Sequence, residues 1–212
     1  MVRLNKSPQP KAIKTEKDYQ EGENFKTLAA DCHNKCYICE DNPTHINVEH
    51  IVPHRKNPDL KFDWYNLFIA CGHCNNIKHT KYDNVLDPTK CDPEEHIALS
   101  IVMTGDIRDR VNVAALKFDN STIETVELLH HVYNGGTTDM KEIECTNLRN
   151  KHLIPDIRLF LQYIHNYFAE PDEDYDILIL DEISRSSKFA AFKRKIIRDH
   201  PQLSSQFADA LI

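Results

Sequence analysis

The chain has 212 residues, 26 basic against 33 acidic for a formal net charge of −7, with 12 histidines, seven cysteines and only five glycines. That length buries a real core in one large or two small domains, whereas the acidic balance excludes a protein that grips nucleic acid by an overall basic surface, because phosphate contacts supply most non-specific affinity. No apolar stretch approaches a bilayer span, Met1–Pro8 lacks the apolar core of a secretion signal, and cysteines at metal-ligand spacing fit a reducing interior; together these predict a soluble cytoplasmic protein.

Residues 1 to about 24 are polar, contain Pro8 and Pro10, and predict an extended arm leading to a helix toward Phe25–Ala30; a frayed terminus is the plain alternative. From Cys36 to Tyr82 the pattern predicts a cysteine knuckle, a strand at Asn47–Val52, a polar loop, a strand at Leu67–Ala70 and a helix opening near His73–Asn76, with a compact turn at Cys71-Gly72-His73. His96–Met103, a turn at Thr104-Gly105-Asp106 and a return at Val111–Phe118 predict a hairpin. Ser121-Thr-Ile-Glu124 has the S/T-x-x-E capping signature of a helix carrying Val126, Leu128, Leu129 and Val132. A long helix follows from about Glu142 to Phe168, broken or kinked at Pro155. The acidic run Pro171–Asp176 reads as an exposed loop and the best candidate for a linker. The last helices carry Phe189, Phe192, Ile196 and Ile197 on one side and Lys188, Lys193, Arg194, Lys195 and Arg198 on the rest, which is a solvated charged face or a nucleic-acid surface.

Cys36-x2-Cys39 and Cys71-x2-Cys74 have the spacing of a four-thiolate structural zinc site, and no βαβ pattern surrounds either pair to suggest a redox motif. Cys32, Cys91 and Cys145 read as ordinary buried or half-buried thiols, with Cys32 or His33 the alternatives for one ligand position. Between and just after the pairs lie Glu49-His50, Asn66 and Asn75. A strand-loop-strand-helix unit is too small to hold itself by apolar burial, whereas structural zinc contributes about 10–16 kcal/mol of apparent binding free energy. The zinc clamp would then brace a second, chemically active site. His50 suits proton transfer from a water attacking phosphorus, since imidazole titrates near neutrality. A closed four-thiolate site has no open position for such chemistry, so a second, hard cation, magnesium or manganese, is implied.

Val48-Glu49-His50-Ile51-Val52-Pro53, Trp64-Tyr65-Asn66-Leu67 and Cys71-Gly72-His73-Cys74-Asn75-Asn76-Ile77-Lys78 resemble the HNH endonucleases, whose core is the ββα-metal finger, most specifically over residues 36 to 82. Asn84–Pro88 with Pro93-Glu94-Glu95 looks like the segment that follows the nuclease core in the PtuB group of Septu and retron systems, a looser match over residues 36 to about 135. The resemblance implies that His50 is the general base, Asn66 the asparagine that braces the loop, Asn75 the last motif residue and Glu49 the acidic metal ligand. The chain thus reads H-N-N; an amide oxygen at Asn75 can still ligate a hard cation beside Glu49.

His54, Arg55 and Lys78, with Lys56, Lys61 and Lys81, are expected to touch phosphate unless they form a mixed-charge solvated loop; His73 and His79 are expected to be exposed. The fold expected is α+β, a zinc-braced ββα-metal core followed by a small hairpin and a mainly helical C-terminal region, divided as 1–30, 31–90 and 91–212. Its expected activity is metal-dependent hydrolysis of DNA, and the resemblance implies an ABC-type ATPase subunit as partner. A zinc-organised binding or adaptor module and a stand-alone restriction-like endonuclease are the competing readings.

Overall fold

Ile46-Asn-Val-Glu-His50 and Leu67-Phe-Ile-Ala-Cys71 pair as antiparallel strands β1 (Ile46–His50) and β2 (Leu67–Cys71), with Ile46 opposite Cys71 and His50 opposite Leu67. All of β2 is buried, so its sequence is a continuous apolar run rather than an alternating one. The computed structural model describes residues 1–102, 109–135, 139–170 and 172–212, and the expected turn at Thr104–Asp106, Met103, Pro171 and the side chain of Lys56 lie outside the described residues. β1 ends at His50, short of the expected Val52, because the Asn66 side chain takes both the N–H and the carbonyl of Val52. Helix α3 (Gly72–Lys78) follows β2 directly, capped by the Cys71 sulfur, which accepts from the Cys74 amide. Gly72 is therefore the first helical residue rather than part of a turn. A Cβ there would meet Asn47 Nδ2 at 3.9 Å, an ordinary contact.

The N-terminal arm is held rather than frayed. Trp64 Nε1 donates to the Ser7 carbonyl at 2.8 Å, Asp31 accepts from the Ser7 amide and hydroxyl, and the Lys6 ammonium lies 4.3 Å from the Phe68 ring centroid while donating to the Leu67 carbonyl. Burial pushes the Lys6 ammonium down to about 8. Helices α1 (Glu16–Gln20) and α2 (Gly22–Asp31) follow, with Thr15 and Asp18 forming a capping box at the start of α1. α2 packs on β2 and α1 on β1.

Strands β3 (Ile97–Val102) and β4 (Arg110–Ala115) form the expected hairpin. Helix α4 (Asn120–Asn134) packs on β4, and its cap is Asp119 rather than Ser121. Bonds from the Ser121 hydroxyl and from the Thr122 amide and hydroxyl hold the Asp119 carboxyl well below the usual range, while Glu124 reaches away to accept from the Asn84 amide at 2.8 Å. The long helix has three parts, α5 (Asp139–Asn147), a π-helical turn at Leu148–Leu153 and α6 (Ile154–Ala169). Pro155 has no N–H to give, and the hydrogen-bond ladder slips ahead of it so that the Ile154 amide bonds five residues back, to the Arg149 carbonyl. Helix α7 (Glu173–Ile183) begins inside the acidic run, with Asp172 accepting from the Asp174 amide. Carboxylates at that helix end suit its dipole, and α7 packs on α6, so the run is a helix start and not a linker.

Helices α8 (Ala190–Asp199) and α9 (Pro201–Gln206) close the chain. One apolar cluster joins Leu28, Trp64, Phe68, Leu128, Leu153 and Phe192, and a second joins Phe160, Ile179, Ile197 and Phe207. The architecture is the expected α+β one, a ββα unit with a four-cysteine cluster, a hairpin and a helical C-terminal region. Among the described residues, no helix is long and apolar enough to cross a membrane.

Two members of the basic set, Lys193 and Arg194, do not belong to a solvated face, while Lys188, Lys195 and Arg198 stay part-exposed. Lys193 and Arg194 are each 1% exposed; Lys193 sits between Asp156 and Glu182, and Arg194 Nε meets Glu94 at 2.8 Å while its other nitrogens donate to the Ile183, Ala210 and Leu211 carbonyls. Removing one partner of a buried pair strands the other, so Arg194→Ala is expected to lower the unfolding free energy by about 3–5 kcal/mol. Urea denaturation checks this; a loss below about 1 kcal/mol, the range of an exposed ion pair, would show that Arg198 alone satisfies Glu94.

Candidate active site

The Cys36–Cys39 knuckle, the last residue of β2 and the first turn of α3 bring four sulfurs within 4.8 Å of one another. A tetrahedral ion with bonds of about 2.3 Å to sulfur sets its ligands about 3.8 Å apart, and Cys39 Sγ lies 3.9 Å from Cys71 Sγ. The donor set therefore fits a metal ion, with all four residues buried. Burial pushes the Cys74 thiol well up, so a cation binding here must displace protons. Cys32, Cys91 and Cys145 stand outside the cluster, and burial raises the Cys32 thiol to about 11.

His50 ends β1 with its imidazole restrained at one nitrogen. Nε2 lies 3.0 Å from the Lys61 carbonyl, which can only accept, so the neutral ring carries its proton on Nε2 and keeps the Nδ1 lone pair for another partner. Burial holds the imidazole below its ordinary value, which favours that neutral form. The ring also meets His54, with centroids 4.7 Å apart, and Tyr19 of α1, edge-on at 5.9 Å.

The loop between the strands is shaped by Asn66, which is 4% exposed. Its Oδ1 accepts from the Val52 amide at 2.9 Å, and its Nδ2 donates to the Val52 and Leu60 carbonyls at 2.9 and 3.0 Å. Leu60 precedes Lys61, so this one amide places the carbonyl that orients His50.

Glu49 points to the other face of β1 and meets Lys78, whose Nζ donates to Glu49 Oε1 at 3.0 Å and to the His50 carbonyl at 2.9 Å. Lys78 is 0% exposed, which removes it from the expected phosphate rim and makes it the tie between α3 and β1. Burial raises the Glu49 carboxyl and lowers the Lys78 ammonium. Asn75, half-buried, lies one turn before Lys78 on the same side of α3, and Glu49 and Asn75 are the hard oxygen donors that could hold a divalent cation.

Of the other rim candidates, His54 is half-buried beside His50, Arg55 is exposed, Lys61 is half-buried and paired with Glu16 at 2.7 Å, and Lys81 bonds the Tyr82 hydroxyl. His79 is exposed as expected, but His73 is not; its Nε2 donates to the Val132 carbonyl at 2.9 Å and its Nδ1 meets Glu144 at 3.1 Å, because α4 and α5 pack over the knuckle. Sequence reasoning missed Tyr19, Glu16 and the Lys61 carbonyl. Glu16 and Tyr19 share a helix face by their three-residue spacing, but nothing in the sequence ties that face to His50.

Residues 36–81 match the family model described as HNH endonuclease. Over 188 residues, 78% of this chain and 70% of the relative, the chain is 23% identical to Septu protein PtuB of Bacillus thuringiensis. No solved structure matches the chain. The matched span holds both cysteine pairs, both strands and α3.

Asn66→Ala takes the partner from three part-buried backbone groups, the Val52 amide and carbonyl and the Leu60 carbonyl, and is expected to lower stability by about 1–3 kcal/mol in chemical denaturation. Asn66→Asp, which sets a carboxylate against two carbonyls, is expected to lose no less; a loss under about 1 kcal/mol in either variant would contradict the bracing role.

Proposed function

We propose, from the HNH endonuclease domain formed by residues 36–81, that the chain is a metal-dependent phosphodiesterase that hydrolyses DNA with His50 as general base. What carries this reading is the lock on His50: Nε2 is committed to the Lys61 carbonyl, so Nδ1 is the nitrogen that takes a proton from a water attacking phosphorus. The half-buried imidazole, held below its ordinary value by desolvation, is in the neutral form that this step needs at neutral pH.

In this reading Glu49 and Asn75 hold a magnesium or manganese ion, which supplies charge stabilisation to the leaving 3′ oxygen when bound. Asn66 acts through the loop rather than on the substrate, and His54 and Arg55 face the phosphate backbone. Lys78 keeps the Glu49 carboxylate and the end of β1 in place against α3. The four-cysteine cluster holds zinc, the ion suited to a closed, redox-inert tetrahedral thiolate site. Neither metal performs the other's task.

The name Septu protein PtuB belongs to the relative. Carried over to this chain with the resemblance beyond residue 82, it supports a role in anti-phage defence beside a PtuA-like ABC-type ATPase. The net charge of −7 agrees with a nuclease brought to its substrate by a partner, since such a subunit needs no large basic surface of its own.

Purified protein is expected to nick supercoiled plasmid when magnesium is present, alone or with the ATPase subunit. His50→Ala is expected to lose about 10²–10⁴-fold in rate while binding one zinc per chain and keeping the wild-type circular dichroism spectrum. Wild-type activity in that variant would sink the assignment. Withholding magnesium is expected to stop cleavage without unfolding, whereas extracting zinc with a strong chelator is expected to unfold the ββα unit.

A further inference from the structure

The imidazole of His50 is restrained by more than its hydrogen bond. One bond from Nε2 leaves the ring free to rock, since the terminal torsion of histidine is broad. Packing must set the ring plane, and part of that packing comes from α1, which lies outside residues 36–81. Tyr19, 4% exposed, meets His50 at 5.9 Å between centroids with the rings 88° apart, and meets Phe62 at 6.4 Å. One helical turn earlier, Glu16 holds the Lys61 ammonium at 2.7 Å. Lys61 is thus gripped twice, its carbonyl by His50 and its side chain by α1.

A five-residue helix has little stability of its own. α1 is nonetheless secured by the Thr15–Asp18 capping box and by Asn24, whose amide donates to the Asp18 carbonyl at 2.9 Å and to the Lys11 carbonyl at 3.1 Å. The Glu16–Lys61 pair is half-exposed and contributes little to stability, so its consequence is geometric.

We propose that Tyr19, with the Glu16–Lys61 pair, is a positioning residue of the nuclease site, which makes α1 a working part of the active centre rather than an appendage of the HNH domain. This rests on the nuclease reading above.

The test uses the full chain, supercoiled plasmid with magnesium (and the ATPase subunit if cleavage needs it), and long-range proton–nitrogen spectra of histidine-labelled protein, with His50 assigned by its absence from His50→Gln. Misplacement of a catalytic group by about 1 Å can cost about 10²-fold. Tyr19→Ala is expected to lower kcat about 10–100-fold with KM within about twofold, at wild-type zinc content. Its His50 nitrogens are expected to lose the pattern of a single tautomer protonated at Nε2. Tyr19→Phe, which keeps the ring edge, is expected to restore both. An unchanged His50 nitrogen pattern in folded Tyr19→Ala overturns the proposal, whatever the cleavage rate. If Tyr19→Ala does not fold, Glu16→Ala, at an exposed position, is read in the same way. Should wild-type protein cleave nothing, or His50→Ala cleave normally, the nuclease reading falls on that result, while the nitrogen spectra still decide whether α1 sets the imidazole.

Discussion

Four cysteine sulfurs drawn within 4.8 Å of one another tie the knuckle, the end of β2 and the first turn of α3 to a single point. Glu49, His50 and Asn75 hang from those elements or from β1 paired to them. A two-stranded sheet and one short helix bury too little apolar surface to hold such a geometry unaided. The cluster fixes where α3 starts, and Lys78 at the other end of α3 fixes where it lies against β1. Between these two anchors sits Asn75. The positions of Glu49, His50 and Asn75 therefore depend on the sulfur cluster.

Charged side chains do much of the structural tying elsewhere. Lys35 donates to the Arg185 and Ser187 carbonyls at 2.7 and 2.6 Å, Lys193 lies between two carboxylates, and Glu94 receives both Arg194 and Arg198. Burying such groups costs solvation that their pairing only partly returns, so pairs of this kind specify an arrangement more than they add stability. More than a quarter of the residues are charged, and among the described residues Lys35, Lys78, Lys193 and Arg194 spend their charge on buried partners rather than on the surface.

The ββα unit was legible because its information is local: cysteine spacing, the apolar run of β2 and the turn chemistry of Asn66 all lie within about forty residues. The backbone bonding of Asn66 was readable too, since an asparagine between two strands tends to bond nearby backbone. What escaped was long-range. Lys78 looks like a rim lysine until Glu49, 29 residues earlier, is known to face it. His73 looks exposed until α4 and α5 cover it, and α1 looks like part of a polar arm until Tyr19 is found against His50. The acidic run at 172–176 misled for a different reason, because the carboxylates that favour an exposed loop also favour the first turn of a helix.

The helical C-terminal region is joined to the knuckle by bonds rather than by a tether. His73, set between the cluster residues Cys71 and Cys74, donates to the Val132 carbonyl of α4, and the Tyr133 hydroxyl next along that helix donates to the Cys39 carbonyl at 2.8 Å. On the far side of the knuckle the Ala191 amide at the start of α8 donates to Glu40 at 3.0 Å. Each contact ends within one residue of a cluster cysteine. A displacement of α4 or α8 thus reaches the sulfur cluster without crossing a flexible linker, and through α3 it reaches the strand that carries Glu49 and His50. The same path runs in reverse, so loss of the cluster's geometry would loosen the packing of α4 and α8 along with the site itself.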